Sequence, residues 1–98
     1  MKKIGKQSLR FDNAYIESTS TVAGKLEKEG PLGAYFDKTY GNNYCNMKSW
    51  EKAEMKLFDD SINVLLDKTK KKEVDINLFI GGDLNNQIVI SNYVLKKY

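Results

Sequence analysis

Ser49-Trp50-Glu51-Lys52-Ala53-Glu54-Met55-Lys56-Leu57-Phe58-Asp59-Asp60-Ser61-Ile62-Asn63-Val64-Leu65-Leu66-Asp67 and, a few residues on, Ile76-Asn77-Leu78-Phe79-Ile80-Gly81-Gly82 decide how this chain is read. In the first stretch Ala53, Leu57, Val64 and Leu65, with Phe58 and Ile62 beside them, recur at helical spacing from Trp50 onward. Met55 and Leu66 widen the stripe, while Lys52, Lys56, Asp59, Asp60, Asn63 and Asp67 supply polar positions. Ser49 suits the N-cap, and Glu51 brings negative charge to the positive end of the helix dipole. The spacing predicts a helix over 50–70. Trp50 falls on the stripe and is expected in the core rather than as a ligand platform. Residues 75–82 are short, apolar on both faces and closed by two glycines, which predicts a buried strand. A helix feeding a buried strand makes the class α/β.

Upstream, Gln7-Ser8-Leu9-Arg10-Phe11 alternates polar and apolar before a turn at Asp12-Asn13, and 14–22 is rich in β-branched and aromatic residues. Strands are therefore expected near 7–11 and 14–22. Gly24 to Gly30 reads as a charged loop, Gly30-Pro31-Leu32-Gly33 as punctuation, and Ala34 to Tyr40 as a short helix ended by Gly41-Asn42-Asn43. Downstream, Asp83 to Gln87 is a polar loop and 88–98 reads as a second helix. Strand, helix and strand in succession imply a right-handed parallel crossover. A buried parallel strand needs neighbours on both edges and helices on both faces, and this chain supplies too few elements. The expected fold is an incomplete α/β unit.

With 98 residues there is room for one domain, which would bury roughly 65% of its unfolded surface. A net charge of +3, with 30% charged and 41% hydrophobic residues, predicts a soluble globular chain. The absence of histidine excludes Ser-His-Asp and Cys-His catalysis, histidine-ligated zinc and an imidazole switch within these residues. The single cysteine, Cys45, excludes an intrachain disulfide and a Cys-x-x-Cys pair. Apolar runs are too short to span a membrane, and the basic start lacks the apolar stretch of a signal peptide, so an intracellular, reducing compartment is expected. Charge is uneven: residues 1–10 carry +4, 11–67 carry −4 and 68–98 carry +3. An acidic middle does not suit a uniformly basic nucleic-acid face, and no nucleic-acid partner is expected.

Three local features compete for a chemical role. Cys45 lies among asparagine-rich turns with neither histidine nor a strand-to-helix elbow near it in sequence, so it reads as a small hydrophobe rather than a nucleophile. Gly81-Gly82-Asp83, at a strand's carboxyl end, resembles the start of a ligand loop but lacks the third glycine of a dinucleotide motif and the Lys-Ser/Thr of a phosphate loop. The plainer reading is a tight turn with glycine at positive φ and Asp83 or Asn85 capping the next helix. Lys68 to Lys72 reads first as a solvated helix end, favoured by the dipole, and second as a phosphate-contacting patch.

Gly5-Lys6-Gln7, Gly30-Pro31-Leu32-Gly33 with Tyr35-Phe36-Asp37, Lys48-Ser49-Trp50-Glu51-Lys52-Ala53-Glu54, Gly82-Asp83-Leu84-Asn85-Asn86-Gln87-Ile88 and Ser91-Asn92 stand in an order and spacing that resemble the opening section of the stage V sporulation protein AD family of endospore-forming bacteria. The resemblance implies a thiolase-like fold of two βαβαβ halves, with residues 1–98 an amino-terminal fragment forming part of the first half. It implies a protein that binds dipicolinic acid, alone or as its calcium complex, and assists its uptake into the forespore and its release at germination. It also implies membrane-protein partners of the same operon, a location in the forespore or spore peripheral to the inner membrane, and a homodimer at full length. No cofactor, metal or catalytic residue follows for this chain: the nucleophilic cysteine of thiolase-like enzymes follows a strand beyond Tyr98, and Cys45 does not match it. Asp83, Asn85, Asn86 and Gln87 are the ligand-binding candidates, by their place at a strand's carboxyl end. Two other readings stay open, a fragment of an acyl-transfer enzyme of the same fold and a small self-standing interaction domain using the Lys68–Lys72 patch.

Overall fold

The Ser49 hydroxyl accepts the Lys52 amide at 3.2 Å and starts the dominant element of this computed structural model, the twenty-residue helix Trp50–Thr69. The structure describes residues 1–82 and 89–98. In chain order the elements are β1 (Lys2–Ile4), β2 (Ser8–Arg10), β3 (Val22–Ala23), α1 (Lys25–Glu29), β4 (Lys38–Thr39), α2 (Trp50–Thr69) and α3 (Val89–Leu95), with 3-10 turns at Gly33–Tyr35 and Glu73–Asp75. The molecule is mixed α/β, with two small two-stranded sheets.

The far end of α2 closes with paired amide-to-carbonyl bonds, Lys70 to Asp67 at 3.3 Å and Lys71 to Leu66 at 3.1 Å. This is the Schellman arrangement, and it requires a left-handed residue, which here is Lys70 at φ 57° rather than glycine. The Thr69 hydroxyl donates back to the Leu65 carbonyl at 3.0 Å. Observed bounds of 50–69 sit beside the expected 50–70 because local signals alone mark both ends.

The strands depart further from expectation. The segment expected near 7–11 is half of a hairpin whose other half, β1, the pattern did not mark. Its antiparallel register sets Lys2 opposite Arg10, Lys3 opposite Leu9 and Ile4 opposite Ser8, and every residue of both strands is exposed. The strand expected over 14–22 is not formed over 14–21; only Val22 and Ala23 belong to a ladder, parallel to β4, with Val22 opposite Lys38 and Ala23 opposite Thr39. The Tyr40 amide closes that ladder on the Ala23 carbonyl at 3.1 Å. A parallel crossover therefore exists, but it passes through α1, in the segment read as a loop, and returns at β4, where a short helix was expected. It does not pass through α2.

No strand forms over 75–82 among the described residues. The segment starts in the 3-10 turn Glu73–Asp75 and continues without a ladder, since a strand is defined by a partner backbone and among the described residues none pairs with it. Its two glycines are not at positive φ, unlike Gly5. Gly81 instead allows close approach: a β-carbon there would lie 2.6 Å from the Leu95 side chain and 3.0 Å from the Phe58 ring. The last helix, expected over 88–98, ends at Leu95.

Burial is concentrated around α2. Tyr40, Cys45 and Ala53 form one buried cluster, flanked by Val22 and Leu57. Ile90 and Val94 of α3 are also fully buried. Trp50, expected in the core, is 59% exposed and stacks on Tyr44 with ring centroids 4.3 Å apart. It is the first residue of α2, where the helix projects past the cluster. The radius of gyration is 15.9 Å, against about 12.6 Å for a compact domain of this length.

Candidate functional site

On α2, Ala53, Leu57, Asp60 and Val64 follow at intervals of four, three and four residues, so one helical face carries an aspartate at an apolar position. Asp60 is 4% exposed. Its Oδ2 accepts the Tyr40 hydroxyl and faces Lys38 Nζ at 3.1 Å, and its Oδ1 faces Lys56 Nζ at 3.3 Å. Burial raises the Asp60 carboxyl, but hydrogen bonds from Tyr40, Lys38 and Lys56 outweigh it and leave the group below its ordinary range. The same burial, with the Asp60 carboxylate next, pushes the Tyr40 phenol up to about 12. Both carboxylate oxygens are engaged, and among the described residues no buried side-chain nitrogen or oxygen lacks a partner. The centre joins the end of β4 to the middle of α2. Chemically it is a structural clamp that holds its charge at neutral pH, with both carboxylate oxygens taken up by protein partners.

A second clamp ties the far end of α2 to the same sheet. Lys68 Nζ lies 2.7 Å from Asp37 and donates to the Thr19 carbonyl at 2.9 Å, while the Thr21 amide donates to Asp37 at 2.8 Å. Lys71 pairs with Glu17 at 3.7 Å, and Lys70 forms the helix cap. Within the Lys68–Lys72 run, three lysines thus serve the fold, which fits the helix-end reading rather than an open phosphate patch. On the other side of α2 the Tyr98 hydroxyl donates to Asp59 at 2.7 Å, with Lys97 at 3.5 Å from the same carboxylate.

Cys45 is 1% exposed and its backbone is left-handed, at φ 52°. Asn42 holds this turn, its side-chain oxygen accepting the amides of Tyr44 at 3.1 Å and Asn46 at 3.0 Å. Burial and then the Asp60 carboxylate push the thiol above its ordinary value, the reverse of what activates a nucleophile.

An apolar groove of about 560 Å³ runs along α2. Phe58, Ile62 and Leu65 form its floor, Tyr15 and Ile16 one wall, and Leu78, Phe79 and Ile80 the other. Its rim carries the Glu17–Lys71 pair. Such a lining suits apolar surface far better than a small dianion, which needs several converging donors. The ligand-binding candidates Asp83, Asn85, Asn86 and Gln87 lie outside the described residues. Sequence reading passed over the Asp60 centre, although its signal was available as an aspartate in phase with Ala53 and Leu57.

The sequence profile of the family "Stage V sporulation protein AD (SpoVAD)" matches residues 5–98. The chain belongs to that family. It is 48% identical over 97 residues to the stage V sporulation protein AD of Bacillus subtilis (strain 168), an alignment covering 98% of this chain and 29% of that protein. The chain thus spans under a third of the length of the curated relative it matches. Three of the family blocks noted in the sequence fall at structural joints. Gly33 of the Gly-Pro-Leu-Gly block packs so closely on α1 that a β-carbon would lie 1.9 Å from the Lys28 carbonyl oxygen. Ser49 of the Lys48–Glu54 block caps α2. Asp37 of the Tyr-Phe-Asp block is the partner of Lys68. Among the described residues no group of three or more His, Cys, Asp or Glu is placed to hold a metal ion, and no helix is long and apolar enough to cross a membrane.

Proposed function

We propose that this chain is part of a non-catalytic sporulation protein of thiolase-like fold that binds dipicolinic acid and assists its uptake into the forespore and its release at germination. The observation that carries the reading is the family match across residues 5–98. The β3–α1–β4 parallel crossover, followed by the long α2, supports the fold, because such units build α/β layers. The protein would act peripherally at the inner membrane of the forespore or spore, beside membrane proteins of the same operon, and as a homodimer at full length.

Dipicolinate is a planar pyridine carrying two carboxylates, so a tight site needs a flat slot and several donors converging on it. In this chain Asn85, Asn86 and Gln87 supply neutral amides, while Asp83 repels a dianion unless calcium intervenes. The Asp60 lysines are already engaged by a carboxylate, and the groove along α2 is apolar. Most of the ligand's contacts would therefore come from the remaining length of the protein. The acyl-transfer reading gains no support from Cys45, whose thiol is buried and pushed up.

Calorimetry tests the proposal on the full-length Bacillus relative and on the 98-residue chain, with phthalate as control dianion. Saturable, dipicolinate-selective binding by the full-length protein and weak or no binding by the short chain is expected. No binding by the full-length protein overturns the ligand assignment. Equal, selective binding by both places the site within these residues and overturns the division of labour.

A further inference from the structure

We draw no further inference here: the strongest candidate, the basic surface patch of the β1–β2 hairpin, where Lys2, Lys3 and Arg10 stand beside the exposed side chains of Ile4 and Leu9, belongs to a chain spanning 29% of its relative, and nothing in the structure shows what covers it.

Discussion

Tyr40 donates its phenolic proton to the carboxylate of Asp60, joining the residue after β4 to the middle of α2 across twenty positions of sequence. Lys38 and Lys56 complete the centre, so one buried anion holds a sheet residue, a helix residue and two partly exposed cations. Breaking it from the acidic side leaves two lysines and a buried hydroxyl without their acceptor.

Asp60→Ala is therefore expected to destabilise the chain by about 3 kcal/mol, the usual penalty for removing one member of a buried charged group. Tyr40→Phe, which deletes one hydrogen bond to a charged acceptor, should cost about 2 kcal/mol. Urea midpoints of the two variants check this, and a loss for Asp60→Ala smaller than that for Tyr40→Phe would contradict the clamp.

Stability should fall at both ends of the pH range. The Asp60 and Asp37 carboxyls lie below their ordinary 3.8, so their contribution is complete above pH 3.8 and is lost as pH falls through the depressed values. The Tyr40 phenol is raised from 10.0 to about 12, so its contribution is complete below pH 10 and is lost as pH rises through 12. Thermal midpoints across pH should show a flat centre, a shallower acid limb in Asp60→Asn and a shallower alkaline limb in Tyr40→Phe.

The two ends of α2 respond in opposite directions. Ser49→Ala removes the acceptor of the Lys52 amide and should destabilise by about 1 kcal/mol. Lys70→Gly relieves a left-handed lysine in the Schellman turn and should stabilise by about 0.5–1 kcal/mol. Denaturant titration reads both, and a destabilised Lys70→Gly would mean that the lysine side chain itself holds the cap.

Gly33→Ala should destabilise by about 1–3 kcal/mol, because its methyl group would meet the Lys28 carbonyl, a backbone atom with no rotamer to escape into. Gly82→Ala, where a β-carbon meets nothing within 4 Å, is the neutral comparison.

Native Cys45 should react with a disulfide reagent only as fast as the chain opens, since its thiol is 1% exposed and raised by burial. Labelling should follow the unfolding transition in urea. Acylation by a thioester in the native state, with turnover above a free-thiol background, would show that Cys45 is a nucleophile after all.

The sequence by itself determined α2, its two ends and the unsuitability of Cys45 for covalent catalysis. Those readings rest on interactions that close within a helical turn or on residue types simply absent, such as histidine. The family blocks were equally legible, because they need only order and spacing.

Only the tertiary structure decided which apolar segments became strands and which side chains became core. Residues 14–22 and 75–82 have β-favouring composition, but a strand needs a second backbone, and among the described residues only Val22 of these found one, in the ladder it shares with Ala23. Trp50 and Asp60 exchanged their expected places for the same reason. Periodicity assigns a residue to a face of α2, whereas what lies opposite that face is supplied by distant chain. Opposite Asp60 stand Tyr40 and Lys38, which make burial of a charge tolerable; Trp50 stacks on Tyr44, and its indole stays more than half open to water.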